Sequence, residues 1–187
     1  MKKHLLIIGS GGLGREILAT LKHTNYLFNY NGIGFIDEKP GTVKGVNIVG
    51  DNKYLHNIEF DCDIIIAIGN VNIRRKIIEE FGSKKNFNFP TFIHPKASLY
   101  DEGSIKIGKG CYIGETSILT TDIVIEDYCF INSNVSIHHD SILRENCVLM
   151  PGARITGGAE IGKDTRIGPN VQLSQRILVP ANSNLEI

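Results

Sequence analysis

From Ile107 onward the hydrophobic positions keep a single period. Every sixth residue is aliphatic, from Ile107 and Ile113 through to Val179 and Leu185, fourteen positions with no break in phase. Two residues before each of them stands a small or β-branched residue, among them Cys111, Ser117, Cys129, Ser141, Cys147 and Thr165. Side chains two apart on a strand point to the same side, so each hexad sends one large and one small side chain inward. Three residues after the aliphatic, Gly, Asn or Asp fills ten of thirteen places, including Gly110, Asn134, Asp140, Asn146, Gly152, Gly158 and Asn170. These types accept positive φ, so the chain turns there. A short strand and a corner every six residues predict a three-sided parallel coil that closes every eighteen. Cys111, Cys129 and Cys147 then stack one per coil as small interior residues, since three cysteines in a column give no tetrahedral metal site.

A flat-sided coil has no pocket of its own, and small-molecule sites are concave. Any site on it must be completed by another subunit or by the N-terminal half. The outward positions put Val124, Ile142 and Leu178 on one face and Tyr112, Phe130 and Val148 on the next. Contiguous apolar surface of that kind marks an interface, so a subunit partner is expected there.

The first half reads differently. Leu5–Ile8 is a short apolar run, followed by Gly9-Ser10-Gly11-Gly12-Leu13-Gly14 and a helical stretch from Arg15 to Lys22. Gly34–Asp37 and Asp63–Gly69 read as further strands, Asn72–Phe81 as a helix, and a fourth strand precedes His94. Strand and helix in alternation predict a parallel sheet. Two domains follow, residues 1–93 and 94–187, joined where Pro90, Pro95 and Asp101-Glu102-Gly103 interrupt the pattern. Gly9-x-Gly11-x-x-Gly14 matches a dinucleotide fingerprint, and Asp37 follows at the distance of a ribose-binding carboxylate. Only about 90 residues precede the repeat, room for half of a dinucleotide fold. A mononucleotide or nucleotide-sugar fits that room better than NAD, although an NAD-dependent oxidoreductase stays open on the glycines alone.

Composition removes other classes. Basic and acidic residues number 20 each, so nothing favours nucleic acid or an anionic membrane surface. No apolar run approaches the roughly 20 residues of a membrane span. The apolar run after Lys2-Lys3 is too short for a signal peptide. Four cysteines without a CxxC pair suit reduced thiols and a cytoplasmic protein.

One constellation inside the repeat carries chemistry. His138, His139 and Asp140 stand at a corner, directly after inward-facing Ile137. A histidine serves as general base near neutral pH, and a neighbouring carboxylate fixes its tautomer. The γ-type carbonic anhydrases, a zinc enzyme class of the same architecture, would need three histidines. Beyond His94 the chain has only the adjacent pair.

The hexad repeat resembles that of left-handed parallel β-helix acyltransferases. Taken together, the two halves resemble the bacterial nucleotide-sugar N-acetyltransferases, grouped with sialic-acid O-acetyltransferases. The residues that carry this are Ile8–Glu16, Phe35-Ile36-Asp37, Ile66–Asn70 with Ile73–Ile77, Phe92–Pro95 and Ile137–Asp140. The resemblance implies a Rossmann-like N-terminal half domain followed by a left-handed β-helix, assembled as a homotrimer. It implies acetyl transfer from acetyl-CoA to an amino or hydroxyl group of a nucleotide-linked sugar, with no metal. His139 would be the base and Asp140 its partner. Gly11, Gly12, Leu13, Asp37, Glu38, Gly69 and Asn70 would hold the nucleotide-sugar, and Val148 and Gly157 would lie beside acetyl-CoA.

Three departures qualify that expectation. Leu13 stands where some relatives carry a histidine, and Val148 replaces a second histidine found near the thioester. The sequence also stops at Asn184-Leu185-Glu186-Ile187, before a terminal segment that covers CoA in the family, which predicts either a weaker hold on it or an end built differently. A non-catalytic trimeric nucleotide-sugar-binding scaffold is the alternative.

Overall fold

A computed structural model describes residues 3–186. It divides into two compact units. One runs to Gly69 and resumes over Lys76–Pro90; the other takes Asn70–Arg75 and the chain from Thr91. The division thus falls at Pro90/Thr91, three residues ahead of the expected boundary, and a short inner segment sits in the second unit.

The first unit is Rossmann-like. Strands β1 (Lys3–Ile8), β2 (Tyr30–Ile36), β3 (Gly41–Val43), β4 (Val46–Gly50), β5 (Cys62–Ile66) and β6 (Phe87–Asn88) form a sheet ordered β3-β4-β2-β1-β5-β6. All its pairings are parallel except β3 with β4. Leu5, Leu6, Ile7 and Ile8 are all buried, as are Ile64, Ile65 and Ile66, because a central parallel strand is covered on both faces. Helix α1 (Gly12–His23) buries Ile17, Leu18 and Leu21. It starts three residues before the expected Arg15, because Gly14 belongs to its first turn and packs against Gly9. A Cβ at Gly14 would collide with the Gly9 carbonyl.

Two elements escape the hydrophobic pattern: the β3-β4 hairpin and the short α2 (Asn52–His56), which Asp51 caps by accepting from the Tyr54 N–H at 3.1 Å. The strand expected before His94 is also reassigned. Phe92–Ile93 pairs with Tyr112–Ile113 in the second unit, while the edge of the first sheet is β6.

The second unit is a left-handed parallel β-helix. Sixteen two-residue strands, Phe92–Ile93 to Asn184–Leu185, stack into three sheets. Tyr112 pairs with Phe130, Phe130 with Val148 and Val148 with Arg166, a rise of one coil every eighteen residues. All thirteen corner positions from 110 to 182 have positive φ, the ten Gly, Asn and Asp residues together with Thr116, Tyr128 and Arg176. The coil begins earlier than the unbroken period suggests. Ile93 and Leu99 pair with Ile113 and Leu119, a spacing of twenty, because two additional residues enter the turn around Asp101–Gly103.

Inside, the large and small columns are buried throughout, from Cys111 and Ile113 to Leu173. The small column contains polar atoms, and buried donors need acceptors. They find them fifteen residues on, in the next coil's carbonyls. Cys111 Sγ donates to Glu126 O, Cys129 to Arg144 O and Cys147 to Gly162 O at 3.2–3.3 Å, as Ser117 does to Asn132 O and Thr165 to Pro180 O. Burial pushes the Cys129 thiol well above its usual pKa, so it stays a donor.

Residues 70–75 dock on one column of corners. Asn70 caps the helix α3 (Val71–Phe81), its Oδ1 accepting from Asn72 and Ile73 N–H. Arg74, a charged residue in the first turn of that helix, is buried. It donates to the Tyr128 carbonyl (2.6 Å) and to Asn146 Oδ1 (3.0 Å), and lies over the Phe130 ring. Arg75 pairs with Asp164 and Glu145. Residues 128, 146 and 164 are eighteen apart, so this one turn of helix reads three successive coils.

One expected interface is closed. Tyr112, Phe130 and Val148 are buried, with the rings of Phe92, Tyr112 and Phe130 stacked at 5.2 and 4.8 Å. The opposite choice remains available, since Leu178 is 72 % exposed and Val124 and Ile142 are half-buried. No helix among the described residues is long and apolar enough to cross a membrane.

A left-handed φ is costly for a β-branched residue. Thr116→Asn is therefore expected to raise unfolding stability by about 1 kcal/mol, measured by denaturant titration, with no change in the coil's circular dichroism.

Candidate active site

The corner at residues 138–140 follows the strand Ser136–Ile137. Ile137 is drawn into the core, which fixes the next residues on the outside; Asp140 takes the left-handed turn at φ +60°. That turn folds the Asp140 carboxylate back on its neighbour, and Oδ2 lies 2.7 Å from His139 Nδ1. His139 is half exposed, and Asp140 more so. The carboxylate selects the tautomer with the proton on Nδ1, leaving Nε2 as the basic nitrogen. The His138 side chain is exposed and has no hydrogen-bond partner among the described residues, so the two adjacent imidazoles are not equivalent.

What sets the ring's position is the coil above. Gly157 stands eighteen residues on, and a Cβ there would overlap the His139 ring at Nε2 and Cε1. The backbone secures the same contact from the other side: Gly158 N–H donates to the His139 carbonyl at 2.8 Å. Gly157 therefore leaves the space in which the imidazole lies. The sequence reading placed Gly157 beside a ligand; its contact with His139 was missed because it depends on the eighteen-residue stacking and not on local sequence. Val148, placed beside the same ligand, is wholly buried and has no surface to offer.

The second group of expected residues lies on the loops after β1, β2 and β5, which are adjacent and parallel and so end at one edge of the sheet. Gly9 has φ +101°, and a Cβ there would lie 2.8 Å from the Ala67 carbonyl, so the first and third loops touch. Gly11 and Gly12 are exposed, with no atom near where a Cβ would stand, and α1 starts there without a side-chain cap. Leu13 is half-buried; Glu38 and Gly69 reach the surface.

Asp37 is differently engaged from the ribose ligand its position suggests. Its Oδ2 accepts from the Ser10 N–H (2.8 Å) and the Ser10 hydroxyl (2.7 Å), and Oδ1 from the Glu38 N–H (2.8 Å). Burial alone would raise its pKa, but the Ser10 hydroxyl and the amides of Ser10, Glu38 and Lys39 hold it below the ordinary value. The carboxylate ties the glycine loop to the end of β2. Asn70, the last of the expected group, is committed as the cap of α3, and it belongs to the second unit.

Comparison with known proteins sorts these features. The model of the PglD N-terminal domain matches residues 4–81, and that of the bacterial transferase hexapeptide, six repeats, matches residues 140–175. The acetyltransferase domain of PglB from Neisseria gonorrhoeae is 30 % identical, with a TM-score of 0.87 over 97 % of this chain and 87 % of that one. The chain belongs to the PglD-type hexapeptide-repeat sugar acetyltransferases. The same Neisseria domain in complex with acetyl coenzyme A matches equally well, at 30 % identity and TM-score 0.87 over 98 % and 88 % of the two chains. PerB from Caulobacter crescentus, in complex with CoA and GDP-perosamine, shares the fold at 22 % identity and TM-score 0.65, over 97 % and 92 %. The PglD-type match spans the whole glycine loop, Asp37 and Asn70, and the hexapeptide match begins at Asp140.

Two outcomes are expected in this acetyltransferase. Gly157→Ala leaves the backbone unstrained, because Gly157 does not need positive φ, but displaces the imidazole; turnover should fall roughly 10²-fold, the usual cost of a misplaced group, with thermal unfolding little changed. Asp37, whose folded pKa is lowered, stabilises the protein above the unfolded carboxylate value, and that contribution is lost as pH falls through the folded one. The gap in melting temperature between the native protein and Asp37→Asn should therefore be widest near pH 7 and close as pH drops below 3.8.

Proposed function

We propose that this chain transfers the acetyl group of acetyl-CoA to an amino group, or to a hydroxyl, of a nucleotide-linked sugar, with His139 as general base. The observation that carries the reading is the His139 Nδ1–Asp140 Oδ2 contact of 2.7 Å on a ring seated over Gly157. With Nδ1 satisfied by the carboxylate, Nε2 is directed to an acceptor. Nε2 removes a proton as the acceptor nitrogen or oxygen attacks the thioester carbonyl, and Asp140 stabilises the imidazolium that forms. A backbone N–H at the corner receives the developing oxyanion. Collapse of the tetrahedral species expels the CoA thiolate, which the imidazolium reprotonates, returning His139 to its starting state.

The donor is supported by the acetyl-CoA complex of the Neisseria domain, and the acceptor class by the GDP-perosamine complex of PerB. Gly11, Gly12, Leu13, Glu38 and Gly69 are the residues we assign to the nucleotide-sugar, with Asp37 shaping their loop through Ser10. Gly157 is the residue we assign to the acetyl-CoA side. A homotrimer meeting on the face of Val124, Ile142 and Leu178 would enclose the otherwise open corner. The four free cysteines fit a reducing compartment, the cytoplasm.

The decisive variant is His139→Ala. Its kcat with acetyl-CoA and an amino-sugar nucleotide should fall by roughly 10²–10⁴-fold, the worth of a positioned base, followed by release of the CoA thiol. Wild-type turnover in that variant would remove His139 from the mechanism, and failure of the native chain to bind acetyl-CoA by calorimetry would favour a scaffold.

A further inference from the structure

Thirteen corners carry positive φ, and three of them are not Gly, Asn or Asp. Two of the three have a visible use. The Tyr128 carbonyl accepts from Arg74 and its ring lies under Lys109, and the Thr116 hydroxyl closes on the Glu115 carbonyl. The third, Arg176, has φ +57°, a backbone state that disfavours a long side chain bearing a Cβ.

Its surroundings single it out further. The Arg176 N–H donates to the carbonyl of Gly157 at 3.0 Å, the glycine on which the His139 ring rests. Its Cγ fills the room left by Gly158, where a Cβ would lie only 3.0 Å away, so the stem runs along the corner column toward the coil below. The guanidinium is exposed and has no ion-pair or hydrogen-bond partner among the described residues. In the same unit Arg75 pairs with Asp164, Arg144 with Glu126 and Glu160, and Arg166 with Glu186, while Arg154, on a strand and not at a corner, shares the lack of a partner among the described residues. Residues 165–185 contain no Asp or Glu at all. A cation held in a disfavoured turn, unpaired, two coils along from the candidate base and about 10 Å from it by the inter-strand spacing, is suited to an anion that arrives from outside.

We propose that Arg176 binds the diphosphate of a substrate that reacts at His139. This rests on the proposed acetyl transfer, in which both acetyl-CoA and a UDP- or GDP-linked sugar carry a diphosphate. A guanidinium presents two parallel N–H donors to phosphate oxygens, which a lysine or an amide does not reproduce. Arg176 touches no reacting atom; it is a binding residue that fixes where the phosphates lie and so how far the reactive end reaches along the corner.

The test uses the full chain and the variant Arg176→Asn, since Asn occupies equivalent corners at 134, 146, 170 and 182 and keeps the coil folded. Calorimetric titrations with acetyl-CoA, with S-acetyl-pantetheine (the same acyl arm without phosphates), and with UDP and GDP separate the two sources. Arg176→Asn should weaken either acetyl-CoA or a nucleoside diphosphate by tenfold or more, leave S-acetyl-pantetheine unchanged, and reduce the salt dependence of the affected titration. Arg154→Ala removes another exposed arginine, without a partner among the described residues, from the neighbouring strand and should stay within twofold of the native protein. Unchanged affinities in Arg176→Asn, an equal loss with S-acetyl-pantetheine, or an equal loss in Arg154→Ala would overturn the proposal. Failure of the native chain to bind acetyl-CoA would instead count against acetyl transfer, while the UDP and GDP titrations would still decide the role of Arg176.

Discussion

The constraint on which the second unit depends is a backbone one: every sixth residue must turn through positive φ. A strand of two residues buries too little on its own to be stable, and what makes each one persist is the identical strand one coil above and below. The corners bring those strands into register. Once they do, any property of a residue is repeated or complemented at intervals of eighteen, and the molecule's chemistry is organised in columns. The thiol and hydroxyl donors of the small column meet carbonyls of the next coil. Arg74 and Arg75 meet Tyr128, Asn146 and Asp164. The imidazole of His139 meets the space over Gly157.

That organisation explains which parts were legible in the sequence. The aliphatic period and the Gly, Asn and Asp corners are local signals, and they were sufficient for a three-sided coil; the hand came from the resemblance alone. The His139–Asp140 pair was legible too, because adjacent residues across a corner are local. Thr116, Tyr128 and Arg176 turn in the same way as their Gly, Asn and Asp counterparts, so there the coil's geometry overrides intrinsic preference. The start of the coil was hidden by two additional residues near Asp101–Gly103, which shift the phase of Ile93 and Leu99 while they still pair with Ile113 and Leu119.

Contacts between residues distant in the chain account for what local sequence does not show. Tyr112, Phe130 and Val148 looked like an open apolar face because outward position was equated with exposure, whereas they are covered within the chain, with Arg74 lying over Phe130. Arg74 itself follows the helical alternation that normally signals a solvated side, yet its guanidinium is buried because corner carbonyls and an amide side chain supply acceptors. Asp37 occupies the position of a ligand-binding carboxylate and spends its oxygens on Ser10 and Glu38. The Arg74–Tyr128 and Ser10–Asp37 contacts join residues 54 and 27 positions apart, distances over which no short motif carries information.

The extra two residues of the first coil show where the architecture bends. A corner absorbed them, and the inward column continued undisturbed on both sides. A single residue lost from a straight segment would have no such remedy. It would act as a reading-frame error does in a message, exchanging interior for exterior at every strand until the next corner restored the count. Length polymorphism in such a chain is therefore confined to its vertices, and the straight edges are free to vary in chemistry alone.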